Sequence, residues 1–107
     1  MIRHVVMWKL RGDSPTEIDA ARRLVKTSVE AMRGEIPGML SIEVGLDASG
    51  VDYACDAVFV ADFESQSTLD SYATHPAHLR MKAELGDIRV ARFQVDYEIE
   101  DTSDAHP

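Results

Sequence analysis

The 107-residue chain reads as one α+β domain of ferredoxin-like βαββαβ order. Three observations predict this. The two ends of the chain alternate apolar and polar residues with the period of a strand. A long stretch between them has helical periodicity, followed by two strand patterns and a second, shorter helical stretch. One of those strands is apolar on both faces, as a central strand covered on both sides would be.

The first segment places Ile2, His4, Val6, Trp8 and Leu10 on one face and Arg3, Val5, Met7 and Lys9 on the other. This is a strand with a histidine in its apolar row. Gly12-Asp13 stops it, and Ser14-Pro15-Thr16-Glu17 starts a helix. Ser14 is the N-cap, Pro15 takes the first position, and Glu17 closes a capping box. Ile18, Ala21, Leu24, Val25, Val29 and Met32 recur at helical spacing, opposite a charged side that includes Asp19, Arg22, Arg23, Lys26 and Glu30. Gly34 and the Ile36-Pro37-Gly38 turn end the helix.

A second strand follows, with Leu40, Ile42, Val44 and Leu46 alternating against Ser41, Glu43 and Gly45. Residues 53–63 predict the two-sided strand: Tyr53, Cys55, Ala57, Phe59 and Phe63 on one face, Ala54, Val58 and Val60 on the other. Ser65 opens a short helical region with Leu69 and Tyr72 turned inward. A second helical piece runs from Pro76 to Leu85 and stops at Gly86. The last strand sets Ala91, Phe93, Val95, Tyr97 and Ile99 against Val90, Arg92, Gln94, Asp96 and Glu98. Asp96, Glu98 and Glu100 read as a solvated strand edge. Residues 1–100 form the domain, and residues 101–107, polar and aperiodic, a flexible tail. Two helices cover one face of a four-stranded sheet, so the other face calls for a second subunit and a symmetric dimer.

Composition narrows the function. Eleven basic against nineteen acidic residues give a net charge of −8, which disfavours nucleic acid and anionic membrane surfaces as partners. No apolar run approaches the roughly 20 residues of a membrane span, and the first residues read as a strand and not as a signal peptide. Cys55 is the only cysteine, which suits a reducing, cytoplasmic compartment and acts as a small buried hydrophobe. No phosphate loop or dinucleotide fingerprint is present, so no cofactor is expected.

The most chemical segment is Tyr72-Ala73-Thr74-His75-Pro76-Ala77-His78, which holds two of the four histidines. The proline pushes His75 toward an extended conformation and starts a helix, so that His78 falls in its first turn. Acid–base work, contact with a polar ligand group, and helix capping are all open to such a cluster. His78, near the positive end of the helix dipole, is expected to titrate below the ordinary value near 6.5. His75 suits an N-cap or a loop anchor and is also counted among ligand contacts. Tyr72 is either a core aromatic or a pocket residue, and so is His4, while Trp8 shares the His4 row. No metal is expected. His75 and His78 are too few ligands, and only a carboxylate such as Asp70 joining His4 would add to them.

Over nearly its whole length, from about Ile2 to Glu100, the chain resembles the stress-responsive dimeric α/β-barrel (Dabb) family. The matching pieces are His4-Val5-Val6, Ile36-Pro37-Gly38 with Ser41 to Gly45, Phe63-Glu64-Ser65, the Tyr72 to His78 segment, and Val95-Asp96-Tyr97. The resemblance implies a homodimeric barrel of two ferredoxin-like halves, each with a cavity between sheet and helices. It also implies a cofactor-free activity of the aldol-type polyketide cyclisation kind, with His78 as base, Tyr72 orienting the substrate, and His4 as the first-strand histidine. Val29 and Ala57 stand where that cyclase type carries a pocket tyrosine and histidine, which leaves a more apolar pocket. The expected function is therefore binding of an apolar or aromatic small molecule by a homodimer, with His4, His75 and Trp8 as contacts. Its alternatives are a cyclase, lyase or isomerase acting on a carbonyl through His78, and a cofactor-independent oxygenase.

Overall fold

In β1, Ile2–Leu10, the alternation of the sequence becomes an alternation of burial: every even-numbered residue is buried and every odd-numbered one is partly or largely exposed. The computed structural model describes residues 1–100, and the expected tail at 101–107 lies outside them. After β1 come α1 (Pro15–Glu30), β2 (Met39–Leu46), β3 (Ala57–Phe63), α2 (Gln66–Tyr72), α3 (Pro76–Leu85), a short 3-10 turn (Gly86–Ile88) and β4 (Arg89–Glu98). The sheet order is β2-β3-β1-β4 with every neighbouring pair antiparallel, which is the ferredoxin-like arrangement.

Helix α1 starts as its sequence dictates, with one change. Ser14 Oγ accepts from the Glu17 amide at 3.2 Å, but the Glu17 carboxylate reaches past Ser14 to the Asp13 amide at 2.5 Å. Its buried residues are Ala21, Val25, Ser28 and Val29. Leu24, expected inside, is 39% exposed, whereas Ser28 is buried, so the packed stripe is rotated toward Ser28. The turn into β2 needs Gly38. Its φ is +80°, and a Cβ there would lie 2.6 Å from Thr68 Cγ2, at the start of α2. Thr68 and Ser65 satisfy each other's backbone amides in a capping box, which fixes where α2 begins.

Two strands differ from expectation. In β2 the register shifts between Met39, paired with Phe63, and Ser41, paired with Asp62. Leu40 falls out of the inward row and is 51% exposed, while Ile42 and Val44 are buried. In β3 the strand begins at Ala57, not at residue 53. Asp56 ends the preceding loop, taking the Leu10 amide on its carboxylate at 2.7 Å and donating its own amide to the Trp8 carbonyl at 2.8 Å. Tyr53 is accordingly on the surface, and the apparent alternation through residues 53–56 belongs to a turn.

Directly paired residues in an antiparallel sheet share a face. Ile2, His4, Val6 and Trp8 therefore lie with Phe63, Ala61, Phe59 and Ala57 beneath the helices. On the other face Val5 and Met7 lie with Val60 and Val58 on one side and with Val95 and Phe93 on the other. Phe93, Val95 and Tyr97 are each about half exposed, and no helix packs on this face. At its polar end Arg3 Nε and Nη2 donate to the Asp62 carboxylate at 2.8 and 3.0 Å.

Candidate functional site

The Tyr72 to His78 segment folds as its proline requires. His75 is extended (φ −66°, ψ 138°), Pro76 opens α3, and His78 sits in the first turn. The His75 Nδ1 accepts from the Ala77 amide at 3.0 Å and so caps the helix. It is not among the residues that line the adjoining cavity. His78 turns back instead. Its Nδ1 lies 3.0 Å from the Ala73 carbonyl oxygen, which can only accept, so this nitrogen carries the proton. Nε2 is left with a free lone pair.

His4 is 4% exposed, in the middle of β1. Its Nδ1 is 2.5 Å from an Asp96 carboxylate oxygen, and the other oxygen accepts from Gln94 Nε2 at 2.8 Å. With a carboxylate partner, the neutral ring again holds its proton on Nδ1. Phe59, Phe63 and Tyr72 surround His4, with ring centres 5.7, 6.1 and 6.0 Å away. Tyr72 links the two histidines, since its ring centre is 4.2 Å from that of His78. Its hydroxyl donates to the Met32 sulfur at 3.8 Å, a soft acceptor. Burial raises the phenol well above its ordinary range, so Tyr72 stays protonated and contributes a ring face and one O–H.

These groups border a cavity of about 180 Å³ between the sheet and α3. Its apolar walls are Val6, Trp8, Phe59 and Met81, with the Trp8 and Phe59 rings parallel at 6.5 Å. Lys82, Arg89 and Arg92 complete the lining. His4, Trp8, Tyr72 and His78 thus border one cavity. Asp96 is exposed on the edge strand β4, as expected, but its carboxylate is engaged by His4. The pairing of β4 with β1 sets Asp96 opposite His4, Gln94 opposite Val6 and Arg92 opposite Trp8, so the polar row of β4 faces the helices. The available signal was that β4 has an apolar row pointing the other way. Asp70 is engaged elsewhere, accepting from Gln66 at 2.9 Å, and does not join His4. Among the described residues no group of three or more His, Cys, Asp or Glu side chains is placed to hold a metal.

Burial is the chief cause that pushes both histidines below their ordinary pKa. At His4 the Asp96 carboxylate opposes this without reversing it, and at His78 the Ala73 carbonyl does the same. The positive charge of Arg92 adds to the lowering at both rings.

The model of the stress responsive A/B barrel (Dabb) domain family matches residues 2–99. The chain belongs to this family. No curated protein matches it at a significant level. Among solved structures this Dabb domain is similar to a dimeric ferredoxin-like protein of unknown function from Bacteroides fragilis, at 30% identity and a TM-score of 0.80, covering 92% of this chain and 95% of that one. It shares its fold with hydroxynitrile lyase from Passiflora edulis, at 16% identity and a TM-score of 0.72, covering 94% of each chain. The same holds for an antibiotic biosynthesis monooxygenase, at 18% identity and a TM-score of 0.70, covering 94% of this chain and all of the other.

The depressed histidines predict a pH dependence. Between the ordinary value near 6.5 and their own lower values, the unfolded chain binds protons that the folded chain does not. Their contribution to stability is therefore complete above about pH 7 and is lost as pH falls through that window. The depressed carboxylates Asp47 and Asp62 act only at lower pH. Urea unfolding at about pH 7.5 and 5.5 should give a lower stability at 5.5, with a smaller difference in His78→Gln. Equal stabilities, or a higher one at 5.5, would contradict the assignment.

Proposed function

We propose that this Dabb domain is a homodimeric protein that binds an apolar or aromatic small molecule in the cavity between His4, Tyr72 and His78. The observation that carries the proposal is the cavity itself: a ring-sized space with aromatic and aliphatic walls and a few polar groups at fixed positions, as small-molecule sites have. An engineered apolar cavity of roughly 150 Å³ holds one benzene, so about 180 Å³ suits a single substituted ring. The net charge of −8 argues against nucleic acid or membrane as the partner, and the single free cysteine, Cys55, suits the cytoplasm.

A second reading is favoured by the His78 tautomer. With Nδ1–H held on the Ala73 carbonyl, Nε2 is available to take a proton from a carbon next to a carbonyl, while the electron pair moves to the carbonyl oxygen. This is the first step that a cyclase, lyase or isomerase of carbonyl compounds would need. An oxygenase rests on likeness of fold alone.

Acetophenone, one ring with exchangeable protons beside a carbonyl, separates the two readings. Binding alone predicts saturable NMR shifts at Trp8 and only a modest affinity loss in His78→Ala. Catalysis adds deuterium exchange of the methyl protons that falls about 100-fold in His78→Ala. Shifts without exchange remove the catalytic reading. Failure of acetophenone and its ring-substituted analogues to shift any cavity residue removes both.

The dimer is supported by the uncovered face around Val5, Met7, Phe93 and Val95, and by the dimeric state of the Bacteroides fragilis structure. Light scattering at micromolar concentration should give twice the chain mass, and Val95→Asp should shift it toward the monomer. A wild-type monomer would contradict the assembly.

A further inference from the structure

We propose that the cavity selects an anionic ring compound, with a carboxylate at the mouth meeting Arg92 and Lys82 and the ring lying against Trp8 and Met81. This deepens the small-molecule reading above and rests on it. The chain as a whole repels anions, carrying nineteen acidic residues against eleven basic ones. At this one cavity the balance reverses: three of those basic residues line it, and among the described residues no carboxylate does. In a partly enclosed space with low-dielectric walls, such a local reversal concentrates the field on whatever enters.

The three cations are not equally available. Arg89 Nη2 donates to the Lys82 and Gly86 carbonyls at 3.5 and 3.4 Å, so its guanidinium is partly occupied by the end of α3 and supplies mainly charge. Among the described residues neither Arg92 nor Lys82 has an ion-pair partner. They approach from different elements, Arg92 from the inward row of β4 opposite Trp8 and Lys82 from the last turn of α3. The nearest acid on the β4 row, Asp96, is four residues along, about 13 Å at strand spacing, which is beyond a Debye length at 0.1 M salt. Its oxygens are already taken by His4 and Gln94. Arg92 thus has a fork of donors free to take a carboxylate side-on, with the apolar wall immediately behind it.

Benzoate and benzamide test this, being close in size and shape and differing in charge. The chain has a single tryptophan, so its one indole N–H signal reports occupancy. Trp8 Nε1 is buried and has no hydrogen-bond partner among the described residues, which makes that signal a direct readout of the cavity wall. Benzoate should saturate the shift with a Kd on the order of tenfold below that of benzamide, the size expected of a charge-assisted hydrogen bond. The preference should shrink to about twofold in Arg92→Gln, an exposed position where folding is undisturbed, and partly in Lys82→Gln. Raising the salt from about 0.02 to 0.3 M should weaken benzoate severalfold and leave benzamide unchanged. Benzamide binding as tightly as benzoate would overturn the proposal and leave the small-molecule reading standing. A preference that survives in both variants would also overturn it. Absence of any shift with either compound up to about 20 mM would remove this proposal, with the acetophenone series deciding the broader reading.

Discussion

The site depends on the pairing of β1 with β3 on one edge and with β4 on the other. Because side chains alternate with a period of two, a slip of one residue on either edge would turn a whole row to the opposite face. The observed register gives β1 an asymmetric neighbourhood. Toward β3 its inward row meets Ala57, Phe59, Ala61 and Phe63, which close the core. Toward β4 the same row meets Arg92, Gln94, Asp96 and Glu98, which stay exposed instead of closing the core, and of these Arg92 borders the cavity. The cavity lies on that polar side, and the apolar row of β4 is left for the uncovered face. One register thus produces both the pocket and the surface proposed for dimer contact.

The two histidines reach a similar chemical state by different means. His4 is buried, and its proton is held by a carboxylate that is itself held by Gln94. His78 is half-buried in the first turn of α3, and a carbonyl two residues before His75 holds its proton. Both partners favour Nδ1–H, and burial favours the neutral ring. An imidazole so arranged accepts a proton or a hydrogen bond on Nε2 at neutral pH, which suits a ligand donor and a carbon acid alike. The helix dipole, the cause expected from sequence, is not the leading one. Removal from water is.

Much of this was legible because local signals coincide with tertiary ones. Pro15 and Pro76 mark helix starts, Gly86 marks a stop, and the even-numbered row of β1 is apolar apart from His4. What escaped depends on contacts between distant segments. Leu24 looks as apolar as Val25, and only the packing of α1 on the sheet selects Val25 and Ser28. Leu40 fits a strand period until a register shift removes it. Tyr53 and Cys55 alternate with their neighbours but precede a strand whose start is fixed by Asp56 bonding across to Leu10. The bond between Asp96 and His4 was missed for the same reason: a carboxylate beside Gln94 and Glu98 reads as simply solvated unless its partner His4, ninety-two residues away, is known.

The protonation of the two rings is the most direct test of how the site is built. Long-range nitrogen–proton NMR spectra of the imidazoles at about pH 7.5 distinguish the two neutral tautomers from each other and from imidazolium. We expect His4 and His78 both to be neutral with the proton on Nδ1. A proton on Nε2 of His78 would break the link to Ala73 and take away the free lone pair. A charged His4 would mean that Asp96 outweighs burial, and the site would then present an ion pair in place of a neutral base.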